Sequence, residues 1–488
     1  MTTTAVSFKK IVFVCVMMIA CLFSFTACTT NTAFTENPSA SDIVEGNGTL
    51  AVTYGDYVYY TNGFTGYEDV KDTNKEGNIT YSGLYRTKLV NGQAVETETD
   101  VDDEGKVIFD ETKSINDTDI LVSKVCGFEY MGLYIFGDYI YYTTPNNLKG
   151  GDLSVRTDLI DFCRTKLDRS SGQELLYTTT NSGSAVTYNM YEKDGVVYQI
   201  IMDGRSSSDT SKMVVNTIKN TGISTFTTDS DWKVTSYAET KYTTSAETVN
   251  DLDKDLYFTY QTDDITTYTV LAKLELGTTN VTTILNDNSS TIVLEGSRGG
   301  RLYYTKSTIN PASEGAYLFY NNMNTADFFA GEGQLTTNAY TNYIVYNSGI
   351  GVGALVYDSS NTSVYRVTAS GNPVQVLSGT SITNFIGIYG NYFYYLSSSN
   401  IYRVNFVTLG TAENLTSDDG TISASEANYV SIAGDKMFYL KQYSNDDNTA
   451  YYVHMKNFSI VDADTNAYYD HFVGKLAEID YVTEDTTE

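Results

Sequence analysis

Over most of this chain apolar and polar positions alternate with a period of two in runs of four to six residues, as strands do when both of their faces must be covered. The clearest runs are Tyr57-Val58-Tyr59-Tyr60, Tyr139-Ile140-Tyr141-Tyr142 and Tyr392-Phe393-Tyr394-Tyr395, with Lys436-Met437-Phe438-Tyr439 as a weaker form. Each follows a short turn signal: Gly55-Asp56, Gly137-Asp138, Gly390-Asn391 or Gly434-Asp435. Such pairs between alternating runs mark hairpins. No segment after residue 27 sustains a helical period of apolar residues, so the expected class is all-β.

The phrase recurs. Taking the turn before the second strand as a ruler places it near Asp56, Asp138, Asp194, Asp255, Gly300, Val352, Asn391 and Asp435. A third strand recurs as Tyr85-Arg86, Cys163-Arg164, Tyr365-Arg366 and Tyr402-Arg403. One small β unit copied along a chain cannot bury its faces alone, and the architecture that solves this is a ring. The expectation is a single β-propeller over residues 48–475 with four-stranded antiparallel blades. Eight blades are favoured. The units at Val196-Val197-Tyr198, Leu256-Tyr257-Phe258 and Ala354-Leu355-Val356-Tyr357 are degenerate, which leaves seven open. Blade 1 reads as Leu50–Tyr54, Tyr57–Thr61, Leu84–Leu89 and, past Asn91-Gly92, Ala94–Thr99, with an acidic insertion near 95–122.

Composition sharpens this picture. The chain holds 43 Tyr and 21 Phe but 1 Trp and 4 Pro, a strand-forming balance. Because the tyrosines lie inside strands rather than at loop tips, they are expected to pack between blades, and sugar-stacking platforms are the lesser reading.

At the N-terminus, Lys9-Lys10 precede an apolar run from Ile11 to Phe25 and then Thr26-Ala27-Cys28, the layout of a secretory signal. A small residue directly before a cysteine resembles the lipobox of bacterial lipoproteins. That resemblance implies cleavage after residue 27, lipidation of Cys28 and an extracytoplasmic protein anchored to the cell membrane through its lipid. Cys21 is a rival lipobox position, and an uncleaved anchor would need a longer apolar run. Residues 28–47 then read as a flexible tether and 476–488 as an acidic tail.

The formal net charge is −29, and removing residues 1–27, which carry Lys9 and Lys10 but no acid, makes it more negative. That disfavours nucleic acid, anionic lipid surfaces and anionic wall polymers as partners and favours cations or basic proteins. Of the 5 Cys, only Cys126 and Cys163 remain in the body, either as an exported disulfide or as two buried thiols.

The Gly-Asp-Tyr-x-Tyr-Tyr and Leu-Tyr-Arg-x-Lys-Leu phrases resemble those of the Tyr-rich bacterial propellers grouped as domain of unknown function 5050, distant relatives of the low-density-lipoprotein-receptor propeller. The receptor-type Tyr-Trp-Thr-Asp signature is only approximated, by Tyr59-Tyr60-Thr61-Asn62 and Tyr141-Tyr142-Thr143-Thr144. The resemblance implies a fold and hardly an activity.

Candidate chemistry is sparse. Asp100, Asp102, Glu104, Gly105 and Glu111 approach the spacing of a calcium loop, with a plain acidic hairpin turn as the alternative. Other acidic clusters, 251–255 and 462–466, read as solvated loops. His454 and His471 lie in Tyr-rich runs of the last repeat; a triad of His471 with Asp470 is disfavoured because adjacent strand residues face opposite ways. No cofactor is expected beyond that calcium option. The expected function is a monomeric, non-enzymatic binding or interaction scaffold whose propeller loops take an unknown protein or glycan. The alternative is an envelope or host glycan hydrolase or lyase with acidic residues at the ring's mouth.

Overall fold

The computed structural model describes residues 33–65, 81–94, 100–101, 107–108, 118–126, 132–145, 159–179, 186–203, 212–238, 255–298, 300–309, 315–323, 327–340, 342–348, 350–369, 371–416, 422–444 and 449–474. They form an all-β ring of eight four-stranded antiparallel blades. Helix in these residues is limited to Ala424–Ala427 and one 3-10 turn, Phe329–Gly331. None of it is long and apolar enough to cross a membrane.

Blade 1 comprises Ala51–Tyr54, Tyr57–Thr65, Tyr81–Lys88 and Thr118–Cys126. Blade 2 comprises Tyr134–Phe136, Tyr139–Pro145, Ile160–Lys166 and Glu174–Thr178. Blades 3 to 7 follow with first strands Val186–Lys193, Lys233–Tyr237, Ser290–Arg298, Asn342–Ser348 and Asn384–Tyr389. Blade 8 comprises Ser431–Ala433, Lys436–Ser444, Thr449–Val461 and Tyr468–Phe472. The degenerate third, fourth and sixth units each build a full blade.

Alternation is what seats the tyrosines. Val58 and Tyr60 pack with Phe438, Leu440 and Val453 of blade 8. Tyr57 and Tyr59, one residue out of phase, pack with Ile140 and Tyr142 of blade 2. The same division holds in blade 7, where Phe393 and Tyr395 face blade 6 while Tyr394 and Leu396 face blade 8. Ten of the largest fully buried side chains are tyrosines, so tyrosine supplies the bulkiest side chains of a core shared with Val, Leu, Ile and Phe, and its rings add to the apolar burial.

The turn phrase has a steric origin. Gly55 and Gly434 sit at φ +59° and +61°, a region open to glycine without cost, and Tyr54 pairs Tyr57 across the two-residue turn. The next residue's carbonyl then accepts a hydrogen bond from the end of the third strand: Leu89 to Asp56, Leu167 to Asp138, Phe406 to Asn391 and Phe458 to Asp435.

Blade 1 departs from its expected outline. Its fourth strand is Thr118–Cys126, paired with Tyr81–Lys88, instead of Ala94–Thr99. Ala94 is held by blade 8 instead, its N–H donating to the Tyr469 hydroxyl at 3.1 Å and its C=O accepting from it at 3.2 Å. The sheet between Asp100–Val101 and Val107–Ile108 is a small separate hairpin.

Among the described residues, no strand from one end of the chain completes the blade at the other. Closure is made by side-chain packing between blades 1 and 8, by backbone pairing of Gly63–Thr65 with Thr449–Tyr451, and by the segment before blade 1. That segment, part of the expected tether, is a strap. From Phe34, whose N–H reaches Asp168 O of blade 2, it crosses blade 1. Glu45 then accepts from Tyr389 Oη of blade 7 at 2.7 Å. Asn47 exchanges two hydrogen bonds with the Ile135 backbone of blade 2, and Thr49 bonds Ser431 of blade 8.

Candidate functional site

The third-strand arginines explain why the Tyr-Arg phrase recurs. Arg86, Arg164 and Arg403 lie directly across from Tyr59, Tyr141 and Tyr394 in the ladder. Each Nε donates to a fourth-strand carboxylate: Asp119 at 3.0 Å, Glu174 at 2.7 Å and Glu413 at 2.8 Å. Each guanidinium also lies over the first tyrosine of its blade's phrase, Tyr57, Tyr139 or Tyr392, at 5.0, 4.2 and 4.8 Å. Arg403 reaches the next blade as well, over Phe458 at 4.0 Å and to Tyr468 Oη at 3.2 Å. Arg366 does this with hydrogen bonds alone, donating to the Phe406 and Val407 carbonyls of blade 7. Arg403 and Arg366 thus fasten one blade to the next, whereas Arg164 braces its own blade; in Arg86, Arg164 and Arg403 the desolvation of the charge is offset by a paired acid and an aromatic face.

Arg86 has a further partner, the strap. Its guanidinium carbon is 3.5 Å from the Phe34 ring centre. Its Nη1 donates to Glu36 O and Asn37 Oδ1, both at 2.9 Å. Lys88 bonds the Glu36 carboxylate, and that exposed acid is held below its ordinary range chiefly by Lys88. Phe34, Glu36, Arg86 and Lys88, together with Tyr57, Asp119 and Arg169, line a cleft of about 510 Å³ at the rim between blades 1 and 2. Three cations line it, two of them paired there with Asp119 and Glu36, which makes the cleft a candidate polar binding feature among the described residues. The sequence reading missed it; its signal was Phe34, a lone aromatic ring in a polar stretch.

A second polar cluster lies in blade 8. Asp470 accepts from Tyr439 Oη at 2.9 and 2.8 Å and pairs with Lys456 Nζ at 2.9 Å, with His454 Nδ1 at 3.6 Å. Burial pushes the Asp470 carboxyl up, but His454 and Lys456 outweigh it and hold the carboxyl well below the usual carboxylate range. His471 points elsewhere, with Nδ1 at 3.0 Å from Phe472 O. The histidine beside Asp470 is thus the one across the ladder and not its chain neighbour. The hydroxyl in the cluster is a tyrosine's, and no serine stands in line with His454 for a triad among the described contacts.

Cys126 and Cys163 are both free thiols, buried in different clusters. The disulfide option is therefore not realised: Cys163 faces blade 1 while Cys126 packs with Phe162 and Val214. Burial pushes the Cys163 thiol up to about 12, so it is held as an inert thiol. Of the calcium-loop residues, Asp100 lies in the small hairpin, paired with Ile108. Asp102, Glu104 and Glu111 lie outside the described residues, as does Cys28. Asp462 caps its own loop, its Oδ1 accepting from the N–H groups of Asp464 and Thr465 at 2.9 and 2.8 Å. No group of three or more metal-ligating side chains occurs among the described residues.

No protein-family model and no curated protein matches the chain. Solved structures do. A prolyl endopeptidase matches with 10% identity and a TM-score of 0.43 over 85% of this chain and 55% of that one. The acylaminoacyl peptidase of Pyrococcus horikoshii matches with 9% identity and a TM-score of 0.40 over 84% and 58%. The β-propeller domain of the trilobed protease of Pyrococcus furiosus matches with 11% identity and a TM-score of 0.42 over 78% and 99%. The chain spans little more than half the length of the first two.

Proposed function

We propose that this protein is a lipid-anchored, extracytoplasmic scaffold that binds a protein or glycan without turning it over. The anchor is Cys28, and the ring is of the kind grouped as domain of unknown function 5050. The carrying observation is where the conspicuous polar groups are spent: Arg86 binds the strap, Arg403 ties blade 7 to blade 8, and Arg164 braces the strands of its own blade. A ring so fastened is a rigid support for variable connections, the arrangement in which loops carry recognition. The protein then acts as a monomer, and the negative charge steers it toward basic or uncharged partners.

The test is an assay of the purified ring, residues 29–488, on envelope and host glycans alongside binding to envelope extracts. Saturable binding without turnover is the expected result. Turnover abolished by one loop Asp or Glu substitution would replace this reading with a glycan hydrolase or lyase. Calcium has no part in the reading; a calcium-dependent rise in melting temperature lost in Asp100→Ala would give the acidic hairpin a role.

A further inference from the structure

The strap limits how far the ring can stand from its anchor. Phe34 is already fixed, through its N–H to Asp168 O at 2.8 Å and its ring against Arg86 at 3.5 Å. Between Cys28 and this point lie only residues 29–33. Six Cα steps reach about 20 Å at full extension, whereas a compact domain of this length is roughly 55 Å across by the usual scaling of radius of gyration. A leash shorter than half the breadth of the body cannot let every side of the ring approach the lipid.

The attachment point is also placed. Lys88 pairs Tyr57 in the ladder and Leu89 bonds Asp56 O, so Arg86 and Lys88 sit at the end of blade 1 that carries the Gly-Asp turns. Asp168 follows Leu167, which bonds Asp138 O at the same end of blade 2. The connections from second to third strands leave the blades at the opposite end.

Resting on the lipid anchor proposed above, we infer that the ring is held in one orientation, with the blade 1–blade 2 rim of its Gly-Asp-turn end against the bilayer and the opposite end outward. Charge does not oppose this choice: at that rim Arg86 and Lys88 are paired with Asp119 and Glu36, and Arg169 adds a third cation, in a chain of net charge −29. The leash, and not binding by the cations, supplies the attachment.

The experiment places an azide-bearing residue at Ser170, exposed beside Asp168, or at Asn338, exposed after the fourth strand of blade 5 across the ring. Each is coupled to a donor dye in the full lipidated protein, in vesicles of phosphatidylethanolamine and phosphatidylglycerol with an acceptor on the headgroup. Energy transfer several-fold stronger from Ser170 than from Asn338 is expected, with the difference shrinking in Phe34→Ala/Arg86→Ala, which frees the strap. Equal transfer from both sites in protein that floats with the vesicles overturns the orientation. Protein that does not float overturns the anchor instead. In that case the chain from Cys28, coupled through that thiol to a maleimide lipid, gives the same two readouts for the orientation, since Cys126 and Cys163 are buried.

Discussion

Arg403 shows how much one side chain is asked to do. Its side chain is 11% exposed, paired with Glu413, stacked between Tyr392 and Phe458 and bonded to Tyr468. Lysine would keep the charge and lose the planar stack and fork. Arg403→Lys is expected to cost about 1–3 kcal/mol in urea unfolding; an unchanged midpoint would show that charge alone holds blades 7 and 8. Asp470 makes a pH-dependent contribution. Its carboxyl is held low in the folded state, so its stabilisation is complete above the unfolded value of roughly 3.9 and fades as pH falls below it. Asp470→Asn should therefore lower stability at neutral pH and flatten the acid limb below about pH 4. A parallel limb in the variant would refute that role. The sequence pointed to this blade through its two histidines, but pairing Asp470 with His454 depends on the ladder register, which chain adjacency does not reveal.

At the scale of elements, the Gly-Asp-Tyr phrase was legible because local demands coincide in it: a glycine with positive φ, alternation onto two blade faces and, in blades 1, 2 and 7, a tyrosine across from the third-strand arginine. The rulers at Asp194, Asp255, Gly300 and Val352 located their blades without the full phrase, from the alternating runs that follow them. Blade 1's fourth strand was not legible. Ala94–Thr99 has suitable alternation, yet Thr118–Cys126 takes the place beside Tyr81–Lys88, and Ala94 is bonded to Tyr469, far along the chain. Asp119 then supplies the carboxylate that Glu174 and Glu413 supply elsewhere. Tyr469→Phe leaves a buried N–H and C=O without that hydroxyl and should destabilise by about 1–3 kcal/mol. Hydrogen exchange at Ala94 should rise in the same variant. Native protection there would mean the clasp carries no load.

For the whole molecule, a core built of tyrosine sets the alkaline limit. Burial pushes the hydroxyls of Tyr257, Tyr346 and Tyr395 up to about 12. A raised folded value gives stability that is present below the unfolded value near 10 and lost as pH climbs toward 12. Phenolate absorbance of these buried rings should appear together with loss of β-sheet circular dichroism in one cooperative step. Gradual ionisation of all tyrosines with the sheet intact would contradict a tyrosine core.

The strap was the part least visible in sequence, since a polar stretch with only Phe34 and the Ile43-Val44 pair as its large apolar residues reads as a tether until the ring it crosses is present. Its role in closing the ring is the central claim. The direct measurement is hydrogen exchange of the intact protein against a form lacking residues 33–47. Selective loss of protection in Ala51–Tyr54, Tyr134–Phe136 and the strands of blade 8, with blades 4 and 5 unchanged, is the predicted result. Unchanged protection at the blade 1–blade 8 seam would contradict it and return the segment to a passive tether.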